Sequence, residues 1–303
     1  MKRIINKVAV LGSGIMGSRI ACHFANKGVQ VLLLDIVPRE LTDAEKAKGL
    51  DLTNKMVRNR IVNESLQNTL KANPSPIFDK KFASRISTGN FEDDMPKIAD
   101  CDWVMEVVVE RLDIKKIVFE QVEKFRKPGT LVTSNTSGIP INLMAEGRSD
   151  DFKKHFCGTH FFNPPRYLKL LEIIPTKHTD PAIIDFLMEY GDQYLGKTTV
   201  LAKDTPAFIA NRVGIYGIMD LFHYIDKEGF TVEEVDRLTG PVIGRPKSAT
   251  FRTCDVVGLD TLVHVANGLY KAVPNDEKHE VFALPEFIKY MIENKLLGDK
   301  TRK

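Results

Sequence analysis

Short runs of β-branched and aliphatic residues recur along the first two-thirds of the chain, separated by polar or amphipathic stretches. Such runs predict buried strands. The four clearest are residues 7–11, 31–34, 102–109 and 130–134. The amphipathic stretch from Ile15 to Lys27 predicts a helix that ends at Gly28. Because strands alternate with helices and are apolar on both faces, we expect a parallel sheet covered on both sides, so the predicted fold class is α/β.

Two segments depart from this alternation of strands and helices. Residues from about 40 to 81 are polar and helix-prone where a minimal βαβ unit needs only a short connection, and we expect a helical arm there. From Asp204 onward the periodicity is helical, and Pro206 suits the first turn of a helix because its missing N–H is not needed there. We predict a first domain over residues 1–203 and an all-helical domain over residues 204–303.

Composition and charge exclude several classes of protein. Lys+Arg 43 against Asp+Glu 40 leaves a formal charge of +3, too near balance for a nucleic-acid binder that relies on a basic field. No apolar run approaches the roughly 20 residues of a membrane helix, and the start lacks the apolar stretch of a secretion signal. Four widely spaced cysteines and no cluster with metal-ligand spacing indicate reduced thiols and no metal. We expect a cytoplasmic protein without nucleic-acid binding or membrane insertion.

A glycine-rich turn follows the first predicted strand. Gly12-Ser13-Gly14-Ile15-Met16-Gly17 fits G-x-G-x-x-G, in which the glycines permit a tight turn, the approach of a pyrophosphate and close helix packing. The N–H groups of the following helix, from Ile15 and Met16 onward, then face the phosphates. Asp35 closes the next strand, where it can bond both ribose hydroxyls and repel a 2′-phosphate. The pattern favours NAD; the alternative is a structural turn with a solvated aspartate.

Three further polar features follow later strands. Ser137 lies in a hydroxyl-rich cluster at a strand's C-terminal end, where open α/β sheets bind ligands. His160 lies in an apolar strand that stops at a turn, and Glu172 stands alone in an aliphatic run. A carboxylate there is costly unless it is paired. A turn over residues 163–167 brings Glu172 against His160, which orients the imidazole and stabilises its charged form, as a general base requires.

Each of these residues also has a structural interpretation. His160 is alternatively a satisfied core histidine, Glu172 an ion-pair partner, and Ser137 the cap of a helix that begins near Pro140. Taken together downstream of a dinucleotide site, they favour oxidation of an alcohol. A base takes the hydroxyl proton while hydride leaves the carbon for a nicotinamide.

Several motifs in family order resemble the 3-hydroxyacyl-CoA dehydrogenases. Besides the glycine turn, they are Ser-Asn-Thr-Ser at 134–137, His-Phe-Phe-Asn-Pro at 160–164, the strand at 169–173, Asp-Thr-Pro-Ala-Phe-Ile-Ala-Asn-Arg at 204–212 and Val-Val-Gly-Leu-Asp at 256–260. The resemblance implies a Rossmann-like NAD-binding domain and a helical domain through which the protein forms a homodimer. It implies oxidation of (S)-3-hydroxyacyl-CoA to 3-oxoacyl-CoA with NAD in fatty-acid β-oxidation.

The resemblance also implies roles for individual residues. His160 deprotonates the 3-hydroxyl, Glu172 pairs with His160, Ser137 bonds the reacting oxygen, and Asn211 helps to hold substrate and histidine. Cofactor contacts, the first two on the nicotinamide side, are implied for Glu110, Lys115 and Asn135. The arm is implied to contact coenzyme A, and residues 53–81 carry six basic side chains against two acidic ones. The candidate contacts in the arm are Lys55, Arg58 and Lys71.

Two features depart from the stand-alone enzymes of this family. Residues 244–253 replace a shorter glycine-proline turn and resemble large bacterial proteins in which an enoyl-CoA-hydratase-like region follows the dehydrogenase. The chain also stops at Lys303, where the family continues, so we expect an incomplete helical domain and a longer protein. Two other functions stay open: a dehydrogenase of a free hydroxy acid or sugar acid, commonly with a lysine base, and a non-catalytic NADH-binding protein.

Overall fold

The first part of the chain forms one sheet of eight strands. A computed structural model describes residues 3–302, and the chain divides after Asp204 into two compact units. The strands are β1 (Lys7–Leu11), β2 (Gln30–Asp35), β3 (Ile86–Asn90), β4 (Trp103–Glu106), β5 (Leu131–Ser134), β6 (Phe156–Phe161), β7 (Leu170–Pro175) and β8 (Thr198–Leu201). They lie in the order β3-β2-β1-β4-β5-β6-β7-β8, and every neighbouring pair is parallel except β6 and β7.

Helices accompany this sheet. They are α1 (Ile15–Asn26), α2 (Asp43–Ala47), α3 (Lys55–Arg58), α4 (Arg60–Leu70), α5 (Leu112–Phe125), α6 (Ile141–Ala145), α7 (Asp150–Lys154) and α8 (Pro181–Gln193). The predicted arm consists of α2, α3 and α4. Helix α1 ends before Gly28, whose φ of +88° suits glycine at a helix end. The apolar side chains of β1, β2 and β4 pack with Ile20 and Phe24 of α1 into a buried core.

The strand order creates a crevice at one edge of the sheet. β1 lies between β2 and β4, and the chain continues in opposite directions across the sheet from these two neighbours. In open α/β sheets, ligands bind outside the carboxyl ends of the strands at such a switch point. A ligand site is therefore expected at the carboxyl ends of β1, β2, β4 and β5.

The predicted strands differ from the structure in three places. The run over 102–109 ends as a strand at Glu106, because the Glu106 carboxylate accepts the backbone N–H of Val108 at 2.7 Å and turns the chain away. Strands β3 and β8 lie where no strand is predicted. Their sequences, Ile-Ser-Thr-Gly-Asn and Thr-Thr-Val-Leu, are too short and polar to give an apolar run.

The second unit is helical, and its described residues contain no strand. Its helices are α9 (Ala210–Glu228), α10 (Val232–Thr239), α11 (Phe251–Val257), α12 (Leu259–Ala272) and α13 (Glu286–Glu293). Buried residues of α9, α12 and α13, among them Phe222, Leu262 and Ile288, form its core. The α/β fold class, with a helical arm and a following helical unit, is thus confirmed.

Residues 3–302 contain neither a candidate membrane-spanning helix nor a candidate metal site. No helix in this range combines the length and apolar character needed to cross a membrane. The same range also contains no group of three or more His, Cys, Asp or Glu side chains placed to bind a metal ion. The four cysteines, Cys22, Cys101, Cys157 and Cys254, are all buried as free thiols.

Candidate active site

The glycine turn joins β1 to α1 at the switch point. Gly12 has a φ of +106°, and a Cβ at this position would lie 2.5 Å from the carbonyl oxygen of Val107. A Cβ on Gly17 would lie 1.8 Å from the carbonyl oxygen of Gly12. At Gly14, by contrast, no described atom lies within 4 Å of the Cβ position. The first and third glycines are therefore required by the fold, whereas the second leaves open space beside the backbone.

The start of α1 suits a diphosphate. Gly14 precedes the helix, no side chain caps it, and its first turn carries no acidic residue. Its N–H groups and the positive end of the helix dipole are thus available to an anion. At the end of β2, Asp35 accepts hydrogen bonds from the N–H and hydroxyl of Ser13, both at 2.5 Å. The open backbone at Gly14, the uncapped helix and the adjacent carboxylate fit a dinucleotide such as NAD.

His160 and Glu172 lie opposite each other on β6 and β7. The antiparallel register pairs these two residues directly, and His160 Nδ1 is 2.7 Å from Glu172 Oε2. His160 is 5% exposed and Glu172 is fully buried. The pairing predicted from the intervening turn is therefore present. With the Nδ1 proton donated to the carboxylate, the tautomer places the acceptor lone pair on Nε2.

Two contacts hold the strand that carries His160. The ring of Phe162 lies against the imidazole of His160, with 4.3 Å between ring centroids. The backbone N–H of Phe161 donates to Asn135 Oδ1 at 2.9 Å, which ties the strand of His160 to the end of β5. Asn135, predicted to contact the cofactor, thus also has a structural bond within the site.

Ser137 lies beyond β5 beside Glu110. Glu110 Oε1 accepts hydrogen bonds from the Ser137 N–H at 2.9 Å and from its hydroxyl at 3.2 Å. The interpretation of Ser137 as a helix cap is wrong, because the Asp204 carboxylate accepts the first free amides of α6 instead. Burial raises the pKa of Glu110, but the charge of Lys115 and the hydrogen bonds from the Thr136 hydroxyl and the Ser137 N–H lower it by more, so the pKa lies below its usual range.

A buried ion pair between Lys115 and Glu106 contacts Glu110. Lys115 Nζ lies 2.8 Å from Glu106 Oε1 and 3.2 Å from Glu110 Oε2. The side chains of Lys115 and Glu106 are 1% and 0% exposed, against 36% for Glu110. Glu106 also accepts the hydroxyl of Ser134 at 2.5 Å, while burial raises its pKa. Lys115, predicted to line the nicotinamide side, therefore lies behind Glu110, which is the member that reaches the surface.

Glu106 is not among the residues predicted from the sequence, although the sequence carries a signal for it. A glutamate at the end of an otherwise apolar strand needs a partner as much as Glu172 does. Lys115 stands nine residues later on the helix that follows this strand. The cost of burying a carboxylate therefore predicts a partner for Glu106 as it does for Glu172.

The arm presents fewer available cations than its composition indicates. Arg58 is held by Asp93 through two hydrogen bonds of 2.7 and 2.9 Å and by Glu92 at 2.7 Å. Both acids lie outside residues 53–81, so the count over that segment overstates its free charge. Lys55 and Lys71 form no ion pair with any described residue and remain the better candidates for a phosphate ligand.

Asn211 belongs to the other unit. It lies in the first turn of α9, whose first residue is Ala210. Its predicted contact with substrate and histidine stays a prediction.

Two family models match nearly all of the chain. Residues 7–205 match the model of the 3-hydroxyacyl-CoA dehydrogenase NAD binding domain. Residues 208–303 match the model of the 3-hydroxyacyl-CoA dehydrogenase C-terminal domain. The two matched segments divide near the boundary between the compact units.

Individual proteins give the same result. A probable 3-hydroxyacyl-CoA dehydrogenase of Bacillus subtilis is 55% identical over 99% of this chain, which spans 38% of that protein. One of Deinococcus radiodurans is 46% identical over 98% of this chain and 81% of the relative. The crystal structure of (S)-3-hydroxybutyryl-CoA dehydrogenase from Ralstonia eutropha superposes with a TM-score of 0.76 at 25% identity, covering 98% of this chain and 97% of that one. The chain belongs to the 3-hydroxyacyl-CoA dehydrogenase family.

Proposed function

We propose that this chain catalyses the NAD-dependent oxidation of (S)-3-hydroxyacyl-CoA to 3-oxoacyl-CoA, a step of fatty-acid β-oxidation, in the cytoplasm. The observation that carries the proposal is the buried pair of His160 and Glu172, 2.7 Å apart, in a family whose first domain binds NAD. A structural role alone does not require a histidine and a carboxylate in an apolar hairpin, because packed aliphatic residues fill such a site at lower cost.

Proton transfer is assigned to His160. With Nδ1 held by Glu172, Nε2 accepts the proton of the 3-hydroxyl, and the carboxylate stabilises the imidazolium that results. Ser137 supplies a hydroxyl that bonds the reacting oxygen, while Asn211 holds substrate and histidine. The protein thereby removes the proton as the C–O bond becomes a carbonyl.

The cofactor site is assigned to the glycine turn. NAD, when bound, supplies the acceptor for the hydride that leaves C3 of the substrate. The amides at the start of α1 hold the diphosphate and Asp35 holds the adenosine ribose, while Glu110, backed by Lys115, and Asn135 lie on the nicotinamide side. This division follows the switch point, because the two halves of a dinucleotide lie on opposite sides of it.

The first experiment follows NADH absorbance with acetoacetyl-CoA as the oxidant. We expect wild type to consume NADH and His160→Gln to lose about 10²- to 10⁴-fold in kcat, the usual scale for a general acid–base, with NADH binding preserved. The matched control is His178→Gln, because His178 is an exposed histidine next to Thr179, outside the paired strands. Equal activity of wild type and His160→Gln would contradict the assignment.

Substrate tests separate the competing functions. Turnover of a free hydroxy acid without coenzyme A indicates the related dehydrogenase. Tight NADH binding with no turnover of any 3-oxoacyl-CoA, short or long, indicates the non-catalytic protein. Either outcome overturns the proposed function.

We assign coenzyme A to the arm. Lys55 and Lys71 form no ion pair with a described carboxylate and suit its phosphates as cations. Replacing both with Glu is expected to raise KM for acetoacetyl-CoA about tenfold or more. KM for the acetoacetyl thioester of pantetheine, which lacks the nucleotide, is expected to stay the same. A parallel rise in both KM values would contradict this assignment.

We also propose a homodimer through the helical unit. Seven large apolar side chains there are more than half exposed, among them Leu238, Val242 and Ile243, which lie within six residues of the chain. Grouped apolar exposure of this kind marks interaction surfaces. Sedimentation of the 34.1 kDa chain is expected to show a dimer, and Val242→Glu is expected to shift it to monomer. A monomeric wild type would contradict the proposal.

A further inference from the structure

The connection between β6 and β7 joins the strand of His160 to the strand of Glu172. It begins at Phe162, whose ring lies against His160, and runs to Lys169, just before the strand of Glu172. A shift of this segment therefore moves the aromatic neighbour of His160 and changes the alignment of the two strands. What holds the connection in place bears directly on proton transfer.

A buried lysine just before β8 contacts this connection. Lys197 is 3% exposed, and its ammonium donates hydrogen bonds to the carbonyl oxygens of Pro165 and Leu168, the latter at 2.9 Å. The same ammonium lies 5.5 Å from the centroid of the Phe161 ring. One cation thus contacts the middle and end of the connection and the residue that follows His160.

The surroundings of this ammonium are otherwise unfavourable to its charge. No described carboxylate forms an ion pair with Lys197. Burial and the nearby charge of Lys27 lower the pKa of Lys197 to about 8. Burial, together with Lys197 and Lys27, lowers the pKa of His23 to about 3, so that ring is neutral. Because an unpaired buried cation is costly, the two carbonyls and the Phe161 face are its compensation.

Two other cations, one of them within the connection, bind it to neighbouring segments. Arg19 of α1 donates to the Asn163 side chain. Arg166 donates to the carbonyl oxygens of Ser75 and Ile77 at 2.7 and 2.9 Å. These contacts link the connection to α1 and to the loop that follows α4. Of the three cations, Lys197 alone is buried.

We propose that Lys197 is a positioning residue for the His160–Glu172 pair, which it aligns by clamping the Pro165 and Leu168 carbonyls and the Phe161 ring. This inference rests on the proposed function for its kinetic consequence. Removing the ammonium leaves two carbonyls without their donor and frees the connection. Small displacements of catalytic groups reduce kcat by up to about 10²-fold without changing the chemistry.

The kinetic test uses Lys197→Met with acetoacetyl-CoA and NADH. We expect kcat to fall about 10- to 100-fold while the Kd for NADH, measured by fluorescence, changes less than about twofold. Lys27→Met is the matched control, because it removes a neighbouring cation that does not touch the connection, and its kcat should equal that of wild type. If Lys197→Met does not fold, Lys197→Gln, which keeps an N–H donor but no charge, is expected to lower kcat in the same direction.

A spectroscopic readout separates this inference from the proposed function. The Nδ1 proton shared by His160 and Glu172 gives a downfield ¹H resonance that His160→Gln removes. We expect this resonance to shift or broaden in Lys197→Met and to stay unchanged in Lys27→Met. An inactive wild type with this pattern overturns the proposed function and retains the positioning role. Wild-type kcat with an unchanged resonance in Lys197→Met, or equal losses of kcat and NADH binding, overturns the positioning role.

Discussion

Glu106 and Lys115 form an ion pair of 2.8 Å from which solvent is excluded on both sides. The carboxylate ends β4, the ammonium comes from the first turns of α5, and the pair supports Glu110 beside Ser137. Breaking such a pair from one side leaves a buried charge without compensation. The pair therefore couples the stability of the sheet to the shape of the site.

Lys115→Met is expected to lower the free energy of unfolding by about 3–5 kcal/mol, the usual cost of removing one partner of a buried pair. The double variant with Glu106→Gln should lose less than the sum of the two single variants. Urea unfolding measures all three. Lys116→Met provides the control, because the Lys116–Glu146 pair is exposed and worth less than about 1 kcal/mol. Similar losses in Lys115→Met and Lys116→Met would contradict the prediction.

Gly14→Ala and Gly17→Ala are expected to fail in different ways. Alanine at position 14 meets open space, so the melting temperature should stay near that of wild type while NADH binding weakens at least tenfold. Alanine at position 17 collides with the Gly12 carbonyl, so the protein should lose stability as well as binding. Thermal unfolding and NADH titration of both variants are the measurements. Unchanged NADH affinity in Gly14→Ala would show that no diphosphate approaches that backbone.

Asp35→Asn tests the choice between NAD and NADP. The amide oxygen still accepts from Ser13, so the turn should keep its shape, but the negative charge is lost. Because a hydrogen bond to a charged group contributes about 1.5–3 kcal/mol, the Kd for NADH should rise about 10- to 100-fold. The ratio of the NADPH to the NADH dissociation constant should fall. A ratio equal to that of wild type would mean that Asp35 serves the turn alone.

His23 is expected to limit stability in acid. Its pKa is about 3 in the folded protein because burial, Lys197 and Lys27 disfavour the charged ring. Unfolding restores an ordinary pKa near 6.5, so the unfolded chain binds an extra proton between these values and stability falls as the pH falls. The expected slope is up to about 1.4 kcal/mol per pH unit.

His23→Gln removes this contribution because glutamine does not titrate. Its side-chain amide can still donate to the Leu195 carbonyl that His23 Nε2 contacts. Urea unfolding at pH 7, 6, 5 and 4 should give a flatter dependence for the variant, because the titration of every carboxylate is common to both proteins. Parallel curves for wild type and variant would contradict a buried neutral histidine.

Local patterns in the sequence predict much of this site. The glycine turn, Asp35 and the hairpin of His160 and Glu172 each follow from residues close together in the chain, where strand periodicity and turn residues decide the geometry. Contacts between distant segments are different. Arg58 finds Asp93 35 residues away, and Lys197 finds Pro165 32 residues away. Nothing in the local pattern of either cation identifies its partner. The sequence therefore overstates the free charge of the arm and gives no sign of the contact between Lys197 and the β6–β7 connection.

The hairpin of β6 and β7 also has a consequence for the order of assembly. His160 and Glu172 are separated by 12 positions, whereas Ser137 meets Glu110 across 27. Closing a short loop loses less chain entropy than closing a long one. The His160–Glu172 pair can therefore form as soon as its hairpin does, before the rest of the sheet has assembled. The Ser13–Asp35 and Ser137–Glu110 contacts, which need several strands at once, are expected to form last.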